Sequence, residues 1–166
     1  MADALEPREL TTYFALMEAV SLLQHAVSQQ LRAEGDLSYV QFELLARLAD
    51  SPGPLTMTEL ADGVVYSRSG LTHQAGLLEK AGLVTRGPCA DDQRATVVGI
   101  TDAGRELVAK VLPGHVDAVR RLLFAPLSTS DLDALGAIMT RVRDHMRAEP
   151  PRSATARRSA KGSGVL

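Results

Sequence analysis

The chain predicts a mainly α-helical protein with one small β-hairpin, and three observations carry that prediction. Apolar residues recur at spacings of three and four over most of its 166 residues, the pattern of helices with one buried stripe. Aromatic residues make up only 4% and tryptophan is absent, so the core is mostly Leu, Val and Ala, which suits helices better than a sandwich or barrel. One stretch departs from helical spacing: VTRGPCADDQRATVVGI sets a charged loop between two β-prone runs.

The first helix is expected from about residue 8 to 34, with Tyr13, Leu16, Val20, Leu23, Val27 and Leu31 on one face and Gly35 as its stop. Ser38 and Gln41 match a capping box, in which each side chain satisfies a backbone donor left over at a helix start. The second helix then runs to about Asp50, with Phe42, Leu45 and Leu48 inward. SPGP breaks it, because neither proline can continue the hydrogen-bond ladder.

Thr56 and Glu59 form a second capping box and open a short helix with Leu60 inward. After a tight connection around Gly63 to Tyr66, Ser67 can cap another helix that buries Leu71, Ala75 and Leu78. Gly70 and Gly76 each weaken that helix by about 1 kcal/mol relative to alanine. Gly82 followed by Leu83 is the expected end, since glycine accepts the left-handed conformation and the next apolar residue packs back.

Leu83 to Arg86 reads as the first strand and Ala95 to Ile100 as the second. Thr101 can cap the next helix, striped by Leu107, Val108, Val111, Leu112, Val116, Val119 and Leu123, with a bend or break expected at Pro113. Ser128 and Asp131 begin a last helix with Leu132, Leu135, Ile138, Met139, Val142 and Met146 on its apolar side. Residues 150–166, rich in Pro, Gly, Ser and Arg, are too polar to fold alone. No internal repeat interrupts this order.

The formal net charge of −2 hides an uneven distribution. Residues 147–166 carry five basic side chains against Glu149, a net +4, which leaves −6 on the rest. Any nucleic acid must therefore be met by locally placed charge. One cysteine, Cys89, excludes an intramolecular disulfide and fits a reducing compartment. No run reaches the apolar length of a membrane span, and the N-terminus lacks the basic and apolar regions of a secretory signal. A soluble, cytoplasmic protein is the expectation. His25, His73, His115 and His145 form no close metal set, and no phosphate-binding loop or nucleophile elbow is present, so neither an enzyme nor a metal or cofactor site is expected.

Two short helices with a tight connection, followed at once by a hairpin, make a winged helix-turn-helix. Its second helix can enter a DNA major groove while the hairpin reaches the neighbouring backbone or minor groove. Ser67, Arg68, Ser69, Thr72 and His73 lie at or near the N-terminal side of that helix, where short polar groups suit phosphates and base edges. Arg94 lies at the hairpin tip or return strand, and Asp92 can hold it extended toward DNA. A solvated Arg68, and an Arg94–Asp92 surface pair worth about 0–1 kcal/mol, are the bland alternatives. The long outer stripes exceed what a winged domain needs to cover itself, which suggests a homodimer seam; closure of a monomeric core is the alternative.

LTMTELA, SRSGLTHQAGLLEKAGLVTR and DDQRATVVGITDAGREL together resemble the MarR family of bacterial winged-helix transcriptional regulators. The similarity runs in unbroken order from about Leu37 to Leu107, and helix count and length extend it to about Met146. The resemblance implies one domain over residues 1–149, with a DNA-binding part at about 37–100 and a dimerisation part at about 8–34 and 102–147, followed by the basic tail. It also implies an obligate homodimer on a pseudo-palindromic double-stranded operator, with repression the commoner mode. Contacts carried over fall on Ser67, Arg68, Ser69, Thr72 and His73 of the recognition helix and on Arg94 of the wing, supported by Asp92.

Arg86 is the other basic residue on which the wing's electrostatics rest. Val64 to Arg105 carry five basic residues against four acids, a net of only +1, so shape fit and dimer avidity must outweigh a broad basic patch. Leu77 stands where relatives commonly carry a basic residue. By resemblance, a small aromatic effector would be lined by Tyr13, Met17, His25, Tyr39, Phe42 and His115. The cysteine-based oxidant sensing of some relatives does not carry over, because the first helix has no Cys. The rival from another class is a winged-helix dimer that binds a protein and no specific DNA.

Overall fold

The computed structural model of the chain describes residues 4–62, 68–89 and 95–148. The described elements are α1 (Pro7–Gly35), α2 (Tyr39–Asp50), β1 (Leu55–Thr56), α3 (Met57–Asp62), α4 (Arg68–Lys80), β2 (Val84–Pro88), β3 (Thr96–Ile100), α5 (Asp102–Val119) with a π-helical turn at Arg120–Phe124, and α6 (Thr129–Ala148). Two compact units result, one through Leu123 and one from Phe124. The connection around Gly63 to Tyr66, the Ser67 cap, Asp92, Arg94 and the basic tail all lie outside the described residues.

Local chemistry sets the helix starts. The Ser38 hydroxyl accepts from the Gln41 amide and Gln41 Oε1 accepts from the Ser38 amide at 2.9 Å. Glu59 accepts from both the amide and the hydroxyl of Thr56, at 2.7 and 2.8 Å, and these bonds hold its carboxyl below the usual range. Ser128 and Asp131 repeat the arrangement at α6, with the Ser128 hydroxyl and amide lowering the Asp131 pKa.

Helix ends follow two routes. At α4 the Leu83 amide reaches the Leu78 carbonyl and the Gly82 amide reaches that of Glu79, with Gly82 at φ 74°. That is the expected glycine-terminated turn. At α1 the helix ends at Gly35 as expected, but the left-handed conformation falls on the next residue, Asp36, at φ 50°. Gly35 also serves packing, since a Cβ there would stand 2.6 Å from Val111 Cγ1.

The hairpin is longer and better partnered than expected. β2 runs to Pro88, and β1, absent from the sequence reading because two residues carry no period, pairs with β3 to give the antiparallel order β1-β3-β2. Leu55, Val98 and Arg86 thus share one row of the sheet. Pro113 neither ends nor interrupts α5, which is helical from Asp102 to Val119; the geometry change comes at the π turn beginning with Arg120.

The core of the first unit joins Val27 and Leu31 of α1, Phe42, Leu44, Leu45 and Leu48 of α2, Leu60, Leu71, Leu78, Val84 and Val98 of the winged part, and Val108 and Val111 of α5. Thr101 ties this frame together: its hydroxyl accepts from Gly104 and donates to the Gly82 carbonyl at 2.8 Å, and its amide donates to the Leu83 carbonyl. Gly104 sits so close that a Cβ would collide with the Leu83 carbonyl and lie 2.8 Å from Ile100 Cγ1. α1 and α5 also cross closely at Gly114, where a Cβ would lie 2.6 Å from Glu34 Oε2 and 2.8 Å from Gln30 Nε2. In the second unit, α6 buries no residue: Leu132, Ile138, Met139, Val142 and Met146 are all exposed.

Candidate nucleic-acid interface

α4 is held by one face and presents the other. Leu71, Ala75 and Leu78 are buried against the winged core, while Ser69, Thr72, His73 and Leu77 are exposed at spacings of three and four. Of the proposed helix contacts, Ser69, Thr72 and His73 therefore share one accessible face, and Arg68 opens the helix. Leu77 continues the same face at 38% exposure, an apolar group in a polar row.

The hairpin begins three residues after α4 and is closed by the Cys89 amide donating to the Ala95 carbonyl at 2.8 Å. Cys89 is a free, half-buried thiol on β2's continuation. Arg86, proposed from sequence as a wing cation for DNA, does not project freely. Its Nε donates to Glu79 Oε2 of α4 at 2.8 Å, and its Nη2 lies 2.7 Å from the same oxygen. The charge that the sequence count assigned to DNA is thus matched inside the protein. Glu79 was missed as its partner because an acid on a helix end and a base on a strand, seven positions apart, follow neither helix nor strand spacing.

Between α3, α4 and the sheet lies a cavity of about 270 Å³ lined by Thr56, Met57, Thr58, Thr72, Arg86, Ala95 and Thr96. Four of its seven lining residues are threonines, and Arg86 is the one charged residue among them.

The residues proposed for an effector divide into two groups. Tyr13, Met17 and His25 are exposed on α1, with Tyr13 edge-on to Phe14 at 5.5 Å. Phe42 and His115 instead touch across α2 and α5, with ring centroids 4.6 Å apart. Tyr13 stands fourteen residues, or about 21 Å along a helix, before Val27, where α1 enters the core. Within one chain Tyr13 and Met17 therefore do not join Phe42 and His115 in one cleft. Tyr39 lies on α2, where it hydrogen-bonds Glu43; burial nonetheless raises the Glu43 carboxyl above its usual range.

Sequence reasoning also missed Gln30. Its amide nitrogen donates to the Val111 carbonyl at 3.0 Å and to Glu34 Oε2 at 2.9 Å. Gln30 Oε1 and His115 Nδ1 are buried with no hydrogen-bond partner among the described residues. Burial also pushes the His115 pKa down, so its ring is neutral at pH 7. Among the described residues no three His, Cys, Asp or Glu side chains come together as a metal set, and no single helix is long and apolar enough to cross a membrane.

An anchored helix with a polar outer face, preceded by a short helix and followed by a three-stranded wing, defines a winged helix-turn-helix protein. A sequence profile of the MarR family matches residues 35–95. The MarR family transcriptional regulator Sco3205 of Streptomyces coelicolor, solved in complex with DNA, superposes with a TM-score of 0.84 at 35% identity, over 92% of this chain and 94% of that one. AbsC, another MarR family transcriptional regulator from Streptomyces coelicolor, gives a TM-score of 0.84 at 31% identity, over 89% of this chain and all of that one (100%). The HTH-type transcriptional regulator PecS of Dickeya dadantii is 29% identical over 132 residues, 78% of this chain and 79% of its own length. The chain belongs to the MarR family and is a DNA-binding transcriptional regulator. These relatives are transcriptional regulators, not enzymes.

Proposed function

We propose that the chain acts as a cytoplasmic, homodimeric repressor of a pseudo-palindromic operator, without catalytic activity, and that a small aromatic effector releases it. The observation that carries this reading is the α4 face: Ser69, Thr72 and His73 point outward from a helix anchored by Leu71, Ala75 and Leu78. In the major groove those side chains and Arg68 would meet phosphates and base edges, while Leu77 suits a thymine methyl. Ser67 would cap the helix beside a phosphate, and Arg94, steadied by Asp92, would enter the adjacent minor groove. A repressor needs no further machinery than occupancy of a promoter.

Dimerisation is supported by the apolar surface left bare. In α1, Leu10, Tyr13, Phe14, Leu16, Met17 and Val20 are between 39% and 62% exposed, a cluster of large exposed apolar side chains of the kind that marks an interaction surface. Two copies related by a twofold axis would set two α4 helices about 34–36 Å apart on one DNA face. The effector reading rests on Phe42 and His115 with the unpartnered Gln30 Oε1 and His115 Nδ1 beside the α1–α5 seam. A phenol could stack on the former and donate its hydroxyl proton to one of the latter.

A gel-shift titration with the DNA flanking the protein's own gene tests the reading. Specific retardation is expected, with Arg94→Ala weakening it about tenfold or more while light scattering still reports a dimer. Retardation that competitor DNA abolishes equally at every sequence would favour the protein-binding rival. Melting in the presence of a panel of phenols tests the effector part; His115→Ala should remove any ligand-induced rise.

A further inference from the structure

We propose that Glu79 is a positioning residue for DNA recognition, and that its pair with Arg86 is a strut that fixes the wing against the recognition helix. The inference rests on the DNA-binding reading and assigns Arg86 a role other than touching phosphate.

Two fixed ends define the strut. Glu79 sits in the last turn of α4, and its own carbonyl accepts from Gly82 at 2.9 Å, so its backbone is held by the helix-ending turn. Arg86 is the middle residue of β2, paired with Val98 of the central strand, which pairs in turn with Leu55 of β1. Both guanidinium contacts, 2.8 and 2.7 Å, fall on one carboxylate oxygen, and the two side chains are only 29% and 38% exposed. A planar fork with two donors on one acceptor fixes direction as well as distance, which a lysine's point charge does not. Arg86 also lies across Gly76, where a Cβ would stand 3.9 Å from Nη2. The strut therefore closes a short loop, residues 81–83, by a second route besides the backbone.

The chemistry separates this role from a phosphate contact. An Arg86 already matched by Glu79 contributes little net charge toward DNA, and reaching a phosphate would require breaking both contacts. If Glu79 were merely an acid near the duplex, neutralising it would reduce repulsion and tighten binding. As half of a strut, neutralising it loosens the wing and weakens binding.

The test uses the full chain and four variants: Glu79→Gln, Arg86→Ala, the two combined, and the charge exchange Glu79→Arg with Arg86→Glu. Operator affinity is measured across salt concentrations, and amide hydrogen exchange is followed at β2 and β3 without DNA. For a partly exposed pair present twice in a dimer, each single variant should weaken operator binding roughly 3- to 30-fold. The combined variant should be no worse than either, and the exchange should restore most of the loss. The salt slope should stay unchanged and the preference for operator over random DNA should fall. Without DNA, β2 and β3 amides should exchange faster in both single variants.

A salt slope shallower by about 0.9 per site for Arg86→Ala, with Glu79→Gln binding as tightly as the parent or tighter, would overturn the strut. If the parent retards no operator, the regulator reading fails by itself; unaltered exchange in both single variants would then overturn the strut independently.

Discussion

The two halves of α1 carry the same apolar spacing and have opposite surroundings. Val27 and Leu31 are 2% and 0% exposed beneath α2 and α5, whereas Leu16 and Val20, on the same stripe, are 40% and 39% exposed. The difference lies in the neighbours. Gly35 and Gly114 let α1 and α5 approach within van der Waals contact near the C-terminal end of α1, and none of the described residues of the first unit buries its N-terminal half. An apolar stripe thus states which face avoids water, and only the surroundings state what covers it.

The comparison is broken most severely from its buried side. Leu31→Ala should cost about 2–5 kcal/mol through lost burial and the cavity left behind, read as a fall in the denaturant midpoint. Leu16→Ala should cost far less in folding of a dilute monomer. If a second copy covers the bare half, Leu16→Glu with Val20→Glu should convert a dimer to a folded monomer in light scattering, with unchanged helical circular dichroism. A stable monomer of the parent protein at micromolar concentration would remove the dimer reading.

A smaller effect sharpens the seam between α1, α2 and α5. His115 has a folded-state pKa below its ordinary 6.5, so the unfolded chain takes up its proton first. Its contribution to stability is present above the unfolded value of about 6.5 and is lost as pH falls from there through the lower folded-state pKa. Glu43, raised above 4.5 by burial, has the opposite sign: its ionisation penalty is relieved on acidification. Melting between pH 7.5 and 5.5 should therefore fall more in the parent than in His115→Gln, a difference of about 1 kcal/mol or less for a half-exposed ring. Equal slopes would show that His115 takes up its proton at the same pH folded and unfolded, which would contradict the lowered pKa.

The smallest expected effect is a gain. Gly76→Ala should stabilise α4 by about 0.5–1 kcal/mol, since its Cβ meets only Arg86 Nη2 at 3.9 Å. The same change at Gly104, against the Leu83 carbonyl, should destabilise.

Much of this fold was legible because local rules and tertiary context agree. The capping boxes at Ser38 and Thr56, the helix start at Ser128, the Gly82 turn and the inward faces of α2 and α4 follow from side-chain chemistry within four residues, whereas the box that Glu6 and Glu9 form at the start of α1 was not read. What could not be read depends on remote neighbours. Gly35 ends α1 and is also a contact point for Val111, which no local rule shows; Pro113, read as a bend or break, lies in a helix that does not break. β1 exists only because β3 lies beside it. On the proposed DNA face, the exposure of Ser69, Thr72 and His73 was legible from period, whereas the Glu79–Arg86 pair was not, since it joins a helix to a strand.

Selection of genomic fragments by the purified full chain tests the regulator reading most directly. The prediction is a shared motif with twofold symmetry whose half-sites lie about 10–10.5 base pairs apart, enriched above random fragments at physiological salt. Recovery of fragments with no common motif, or of a motif without internal symmetry, would contradict a dimer reading an operator through two α4 faces.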